Sequence, residues 1–314
     1  MKRVAALTLG IVAAWSVARA QTCPDTGMHV QVLGSGGPAL EAGRAGPAYL
    51  LWWQGKPLAL VDVGGAAALR LAEAGARSAD LDVVLLSQLH ATHTAGFVAL
   101  VQAVNEQGRT RPLPVYGPSG NRAMPHTIDF VRELFDPNRG VYRHLGDVLN
   151  PLAKGAWRLD PHDVREKPRK LGVARKPQDE LLAAYTTSSM RAVATYVPHA
   201  RAPVLAWRLE VGDKSVVFTG DTSGKDERLS LLARGADLLV AHHAITQSAS
   251  AEELASNMSP STTAQLARTA GVRQIVLAHR GQATRGREDE TLGIMRRNYD
   301  GPIALANDLD CFTP

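Results

Sequence analysis

The sequence has almost no cysteine: two in 314 residues, Cys23 and Cys311, one near each end. Neither lies beside a histidine motif, so neither is a candidate metal ligand. Past residue 20 there is also no run long and apolar enough to span a membrane, which excludes a later membrane anchor. No short repeat and no low-complexity tract occurs, so solenoid and disordered architectures are excluded. A strong excess of charge is missing as well. Basic residues outnumber acidic ones 35 to 30, and Lys2, Arg3 and Arg19 fall in an N-terminal leader. What remains is nearly balanced and gives no case for a nucleic-acid partner.

The leader is the first positive feature. Lys2 and Arg3 open it, Ala5 to Val17 is mostly apolar, and Ala18-Arg19-Ala20 is a small-x-small cleavage site. Residues 1–20 are expected to be a signal peptide, with the mature chain at 21–314 in the periplasm or secreted; a membrane anchor is the competing reading, against which the apolar run is short and contains Ser16. In an oxidising compartment an even pair of cysteines suggests a Cys23–Cys311 disulfide, with two unpaired thiols as the alternative. Basic residues cluster at Arg165, Lys167, Arg169, Lys170, Arg175 and Lys176, and read as a solvated loop or an anion-attracting flap.

Short apolar runs alternate with amphipathic stretches. Strands are expected at 29–34, 47–53, 58–63, 82–87, 113–116, 191–197, 203–211, 214–220, 237–241, 273–278 and 302–306. Helices are expected at 66–75, 95–106, 121–135, 226–234, 261–270 and 287–298. This pattern predicts an α/β fold with two sheets packed face to face and helices outside. The segment 137–189, rich in Pro, Gly and charge, reads as an insertion over the rim of a site, with a helical piece near Gln178 to Ala184.

The chemistry is concentrated at Ser87-Gln88-Leu89-His90-Ala91-Thr92-His93-Thr94-Ala95-Gly96, between a buried apolar run and the start of a helix. Histidines at such a turn point into one pocket, which suits a metal. The segment resembles the His-x-His-x-Asp-His-x-x-Gly signature of the metallo-β-lactamase fold superfamily. Gln88 stands for its first His and Thr92 for its Asp. Gly34-Ser35-Gly36-Gly37-Pro38, Asp62-Val63-Gly64, Pro198-His199, Gly220-Asp221-Thr222 and Ala278-His279 are similar to that superfamily's ribonuclease Z, arylsulfatase and phosphodiesterase branch, in the same order. The resemblance runs from Val30 to about Asp308.

It implies a four-layer αββα sandwich of two mixed β-sheets. It also implies a dinuclear metal site, with His90, His199, Asp221 and Gln88 around one ion. His93, His279, Asp221 and Thr92 surround the other. Gln88 and Thr92 weaken the set, so one tightly bound zinc (or another divalent metal) and a weak or absent second are expected. His242 and His243 follow a strand on the same rim and are candidates for proton donation, auxiliary ligation or ligand support. Asn257 stands where the branch often carries His. Asp62 is expected to support the site rather than bind metal. Trp52, Trp53 and Trp157 read as packing residues or pocket walls.

The implied activity is hydrolysis of an ester-type substrate (phosphodiester, sulfate ester, lactone or carboxylic ester) by metal-activated water. An exported protein does not meet tRNA precursors, so nucleic acid is not the expected substrate. The competing reading is a degenerate member that binds metal or ligand without turnover. Oligomeric state is left open.

Overall fold

The computed structural model describes residues 22–150, 157–166 and 180–314. The leader and the basic residues from Lys167 to Lys176 lie outside them. The first half of the chain lays down β1 (Met28–Gly34), β2 (Ala48–Trp53) and β3 (Lys56–Val61), then α1 (Ala67–Glu73), β4 (Val83–Leu85), α2 (Ala91–Thr94) and α3 (Phe97–Glu106). β5 (Leu113–Pro118), α4 (Thr127–Phe135) and β6 (Leu159–Val164) complete it. The second half gives β7 (Leu182–Thr186), β8 (Arg191–Val197), β9 (Val204–Val211), β10 (Lys214–Phe218), α5 (Glu227–Leu232), β11 (Leu238–His242), α6 (Ala251–Ser256) and α7 (Pro260–Ala270). It ends with β12 (Gln274–Ala278), α8 (Glu288–Met295), β13 (Ile303–Leu305) and β14 (Cys311–Phe312).

Two seven-stranded mixed sheets result, in the orders β14-β1-β2-β3-β4-β5-β6 and β13-β12-β11-β10-β9-β8-β7. Strand alternation sorts the side chains into layers. Along β2, Tyr49 and Leu51 enter the core between the sheets, while Ala48 and Leu50 face the helices outside. Along β10, Val216 and Phe218 point inward and Val217 outward. Phe97, Leu100 and Val101 of α3 cover the first sheet; Leu229 of α5 and Ala264 and Ala267 of α7 cover the second. Strands buried on both faces explain the apolar runs that alternate poorly in sequence. The architecture is the expected αββα sandwich.

The segment expected as an insertion supplies an edge strand to each sheet, β6 beside β5 and β7 beside β8. The helical piece expected near Gln178 to Ala184 is corrected where described: residues 182–184 are strand. Pairing with β8 outweighs the helix propensity of Leu-Leu-Ala-Ala.

Cys23 and Cys311 are joined by a disulfide, with their Cα atoms 5.6 Å apart. It fastens the short β14, which pairs with β1 at Val30 and Gln31. Replacing both cysteines with serine is expected to cost about 2–5 kcal/mol of unfolding free energy, read from urea titrations. An unchanged midpoint refutes this. Among the described residues no helix is long and apolar enough to cross a membrane.

The topology also collects the chemistry. β10, β11 and β12 run parallel, with Phe218 beside Val240 and His242 beside Ala278. Residues just past their carboxyl ends therefore share one rim, where ligands of open α/β sheets bind.

Candidate metal centre

The turn after β4 is held by backbone and by one carboxylate. His90 is the extended N-cap residue of the single-turn α2, and the His93 carbonyl accepts from Val63 N at 2.8 Å. Asp62 accepts from Ser87 N at 2.7 Å and Ser87 Oγ at 2.8 Å through its two oxygens. His93 Nδ1 donates to Asp62 Oδ2 at 2.9 Å. This fixes the His93 tautomer and directs Nε2 into the site. Asp62 thus orients a ligand candidate, as expected.

His93, Asp221, His242 and His279 form one buried group whose ligand atoms all lie within 4.8 Å of one another. His93 Nε2 is 3.3 Å from Asp221 Oδ2, and His279 Nε2 is 3.4 Å from Asp221 Oδ1. Ligands on a tetrahedral zinc with bonds of ~2.0–2.1 Å lie about 3.4 Å apart. His279 Nδ1 donates to the Gly36 carbonyl at 3.0 Å, which turns its Nε2 inward. His242 Nδ1 donates to Asp221 Oδ1 at 2.8 Å, while its Nε2 accepts from the Tyr49 hydroxyl at 3.0 Å. Asp62 and His279 both take positive φ, +57° and +49°, a conformation that costs non-glycine residues about 1–2 kcal/mol.

Gln88 lies inside this group. Its Nε2 donates to Asp221 Oδ2 at 2.6 Å and lies 2.8 Å from His93 Nε2. Its Oε1 is buried without a hydrogen-bond partner. An unmet buried acceptor costs about 1–3 kcal/mol. The charge balance points the same way. Burial opposes charge on His93, but Asp62 and Asp221 outweigh it and raise its pKa to about 10. Burial also opposes charge on Asp221, yet His279 and His93 hold it well below the carboxylate range. Burial pushes His279 down to about 3, against the pull of Asp221. Buried carboxylates, imidazole nitrogens and an orphaned oxygen together fit one divalent cation.

The remaining candidates fall outside this group. His90 and His199 meet as a half-buried edge-to-face pair, ring centroids 5.8 Å apart. His199 Nδ1 donates to the Ser256 carbonyl at 3.0 Å. Burial, and then His199, lower the His90 pKa. Thr92 lines a neighbouring cavity. His243 is placed differently from the expectation. Its ring faces α8, with Nε2 3.2 Å from Thr291 Oγ1, and burial followed by Arg280 pushes it down to about 4. Neighbours on an extended strand point to opposite faces, so His242 and His243 cannot both enter the site. Asn257 caps α6 through Glu253. Trp52 and Trp157 are core residues bonded to Gln31 and Asn105. Tyr49 was not legible in advance; only the packing of β2 against β11 brings its hydroxyl to His242.

A protein-family model described as a Beta-lactamase superfamily domain matches residues 59–280. Ribonuclease Z from Mycobacterium sp. (strain KMS) is 32% identical over 264 residues, covering 80% of this chain and 84% of that protein. Ribonuclease Z from Mycobacterium tuberculosis (strain ATCC 25618 / H37Rv) is 28% identical over 303 residues, covering 90% and 96%. In fold, the chain is similar to the metallo-beta-lactamase fold protein YhfI from Bacillus subtilis, with TM-score 0.67, 22% identity and coverage of 91% and 98%. Human tRNase Z, short form, matches with TM-score 0.69, 16% identity and coverage of 91% and 98%. These relatives overturn the expectation that nucleic acid plays no part, because they are ribonucleases by name. Net charge averages over the whole surface and does not decide what one groove accepts.

Proposed function

The chain belongs to the beta-lactamase superfamily, and on that premise we propose that it is an exported phosphodiester hydrolase working with one tightly held zinc ion. The observation that carries this is the buried His93–Asp221–His242–His279 group with the orphaned Gln88 oxygen at its side. Zinc held there supplies Lewis acidity and an activated water. The chain's own residues do the rest. Asp62 keeps the His93 lone pair directed inward, and the Gly36 carbonyl does the same for His279. Asp221 balances the cation's charge. Tyr49 and Asp221 occupy both nitrogens of His242, which suits positioning Asp221 rather than ligation or proton delivery. His199, with Nδ1–H committed to Ser256, presents an Nε2 lone pair that accepts the proton of the attacking water. Hydrolysis then places the water oxygen on phosphorus and a proton on the departing oxygen.

The phosphodiester, rather than a sulfate ester, lactone or carboxylic ester, is favoured by the ribonuclease relatives, and RNA is among the substrates to be tried. A second reading rests on Gln88, whose amide bridges His93 and Asp221: a member that holds metal without turnover. The test uses the exported protein, whose intact mass is expected to place cleavage after Ala20. It is assayed with added zinc on bis(4-nitrophenyl) phosphate, an RNA oligonucleotide, a sulfate ester, a lactone and a carboxylic ester. Phosphodiester turnover, lost on chelation, is expected. Bound metal with no turnover on any substrate establishes the second reading instead. A retained leader refutes export.

A further inference from the structure

Beside the metal centre lies a cavity of about 520 Å³ that the chemistry above does not use. Its size is that of a small-molecule site. Its wall is nearly all glycine, alanine, proline and leucine, with only Thr92 and Arg44 contributing polar side chains. Arg44 spends its guanidinium elsewhere, donating to Ser35 Oγ at 2.6 Å and Asn307 Oδ1 at 3.0 Å, and ion-pairing with Glu41. It therefore offers the cavity its aliphatic stem. Leu40 stands at the lip, 97% exposed. A lone exposed leucine is ordinary, but one continuous with an apolar cavity adds to a single binding wall.

No side chain of the metal centre lines the cavity; two of its wall residues connect it to that centre. Thr92 is the residue before His93, and Gly36, whose carbonyl holds His279, lies in the wall. Thr92 also stands where the resemblance expects a carboxylate. Threonine there brings a methyl group and a hydroxyl but no charge to this wall. The loss that weakens a second metal site therefore makes the adjoining space apolar.

We propose that this cavity seats an apolar alkyl or aryl substituent of the ester substrate, so that the enzyme prefers phosphodiesters carrying one. The proposal rests on the hydrolase reading for its substrate, but the cavity can be read without turnover. Gly65 provides the handle. It lies in the wall, its φ is not positive, and a Cβ built on it meets nothing within 4 Å. Gly65→Leu therefore fills the cavity without displacing the protein. Ala95→Leu fills it from the α2 side.

The experiment measures kcat/KM for alkyl 4-nitrophenyl phosphates from methyl to hexyl, all with one leaving group. In wild type each methylene is expected to raise kcat/KM about fourfold until the cavity is full, the effect of burying a CH₂ group. In Gly65→Leu and Ala95→Leu the rise with chain length disappears while metal content and thermal midpoint stay unchanged. A flat wild-type series, or the same rise in both variants, overturns the proposal. Calorimetric binding of alkylphosphonates of the same chain lengths repeats the reading without hydrolysis. If wild type turns over no ester but the phosphonates show the rise, the cavity stands and the hydrolase reading falls. RNA oligonucleotide cleavage that drops in both variants in step with the hexyl ester shows a base as occupant and also overturns the proposal.

Discussion

Asp221→Ala loses bound metal and hydrolytic activity together, and each falls by about a thousandfold. The carboxylate touches every other member of the buried group: His242 Nδ1 at 2.8 Å, His93 Nε2 at 3.3 Å, His279 Nε2 at 3.4 Å and Gln88 Nε2 at 2.6 Å. Removing one partner from a buried charged network costs about 3–5 kcal/mol, which converts to two to four orders of magnitude in affinity. What remains is three imidazoles and an amide, and the one buried carboxylate left, Asp62, has both oxygens engaged by Ser87 and His93. The fold survives, because Asp221 follows β10 and takes no part in its ladder with β9 and β11. Chelator competition gives the metal affinity and circular dichroism the fold. His243→Ala is the contrasting variant. Its ring packs against Thr291 on the other face of the sheet, so it lowers stability while leaving metal content at the wild-type level. Wild-type activity in Asp221→Ala removes the site as assigned. Metal loss in His243→Ala removes the distinction between the two faces.

That distinction marks the limit of what the sequence carries. The ends of β10, β11 and β12 were legible, because apolar runs stop at Gly-Asp-Thr, His-His and Ala-His. Which of His242 and His243 turns inward was not. It depends on the parity of β11, and the residue pairing Val240 with Phe218 and Val276 sets that parity. The same holds for Tyr49, whose role requires two sheets to be docked. Three of the four edge strands, β6, β7 and β14, were missed for a different reason. β6 reads Leu-Asp-Pro-His-Asp-Val, and a proline among charges argues against a strand unless it lies at an edge, as it does here. The cavity was invisible because its walls are mostly small residues drawn from two loops and from α2, far apart in sequence. Their meaning lies in what they leave empty.

The double substitution Gln88→His with Thr92→Asp is expected to raise bound metal from one equivalent to two. Two divalent ions ~4 Å apart repel by roughly 16 kcal/mol at an effective dielectric of about 20. A carboxylate bonded to one of them at ~2 Å returns roughly the same amount at that dielectric, so the missing carboxylate at position 92 is comparable with the barrier to a second ion. Gln88 adds a second obstacle. It is a poor zinc ligand, and its amide is already engaged with His93 and Asp221. Histidine there gives His90 and His199 a third imidazole beside Asp221, while aspartate at 92 adds charge next to His93. Either change alone is expected to leave the second ion loose, since one supplies ligands without charge and the other charge without ligands. The measurement is elemental analysis after dialysis against metal-free buffer. Two equivalents in wild type refute the argument at its root. One equivalent in the double variant shows that residues beyond the motif exclude the second ion, the apolar wall that Thr92 completes being the first to examine.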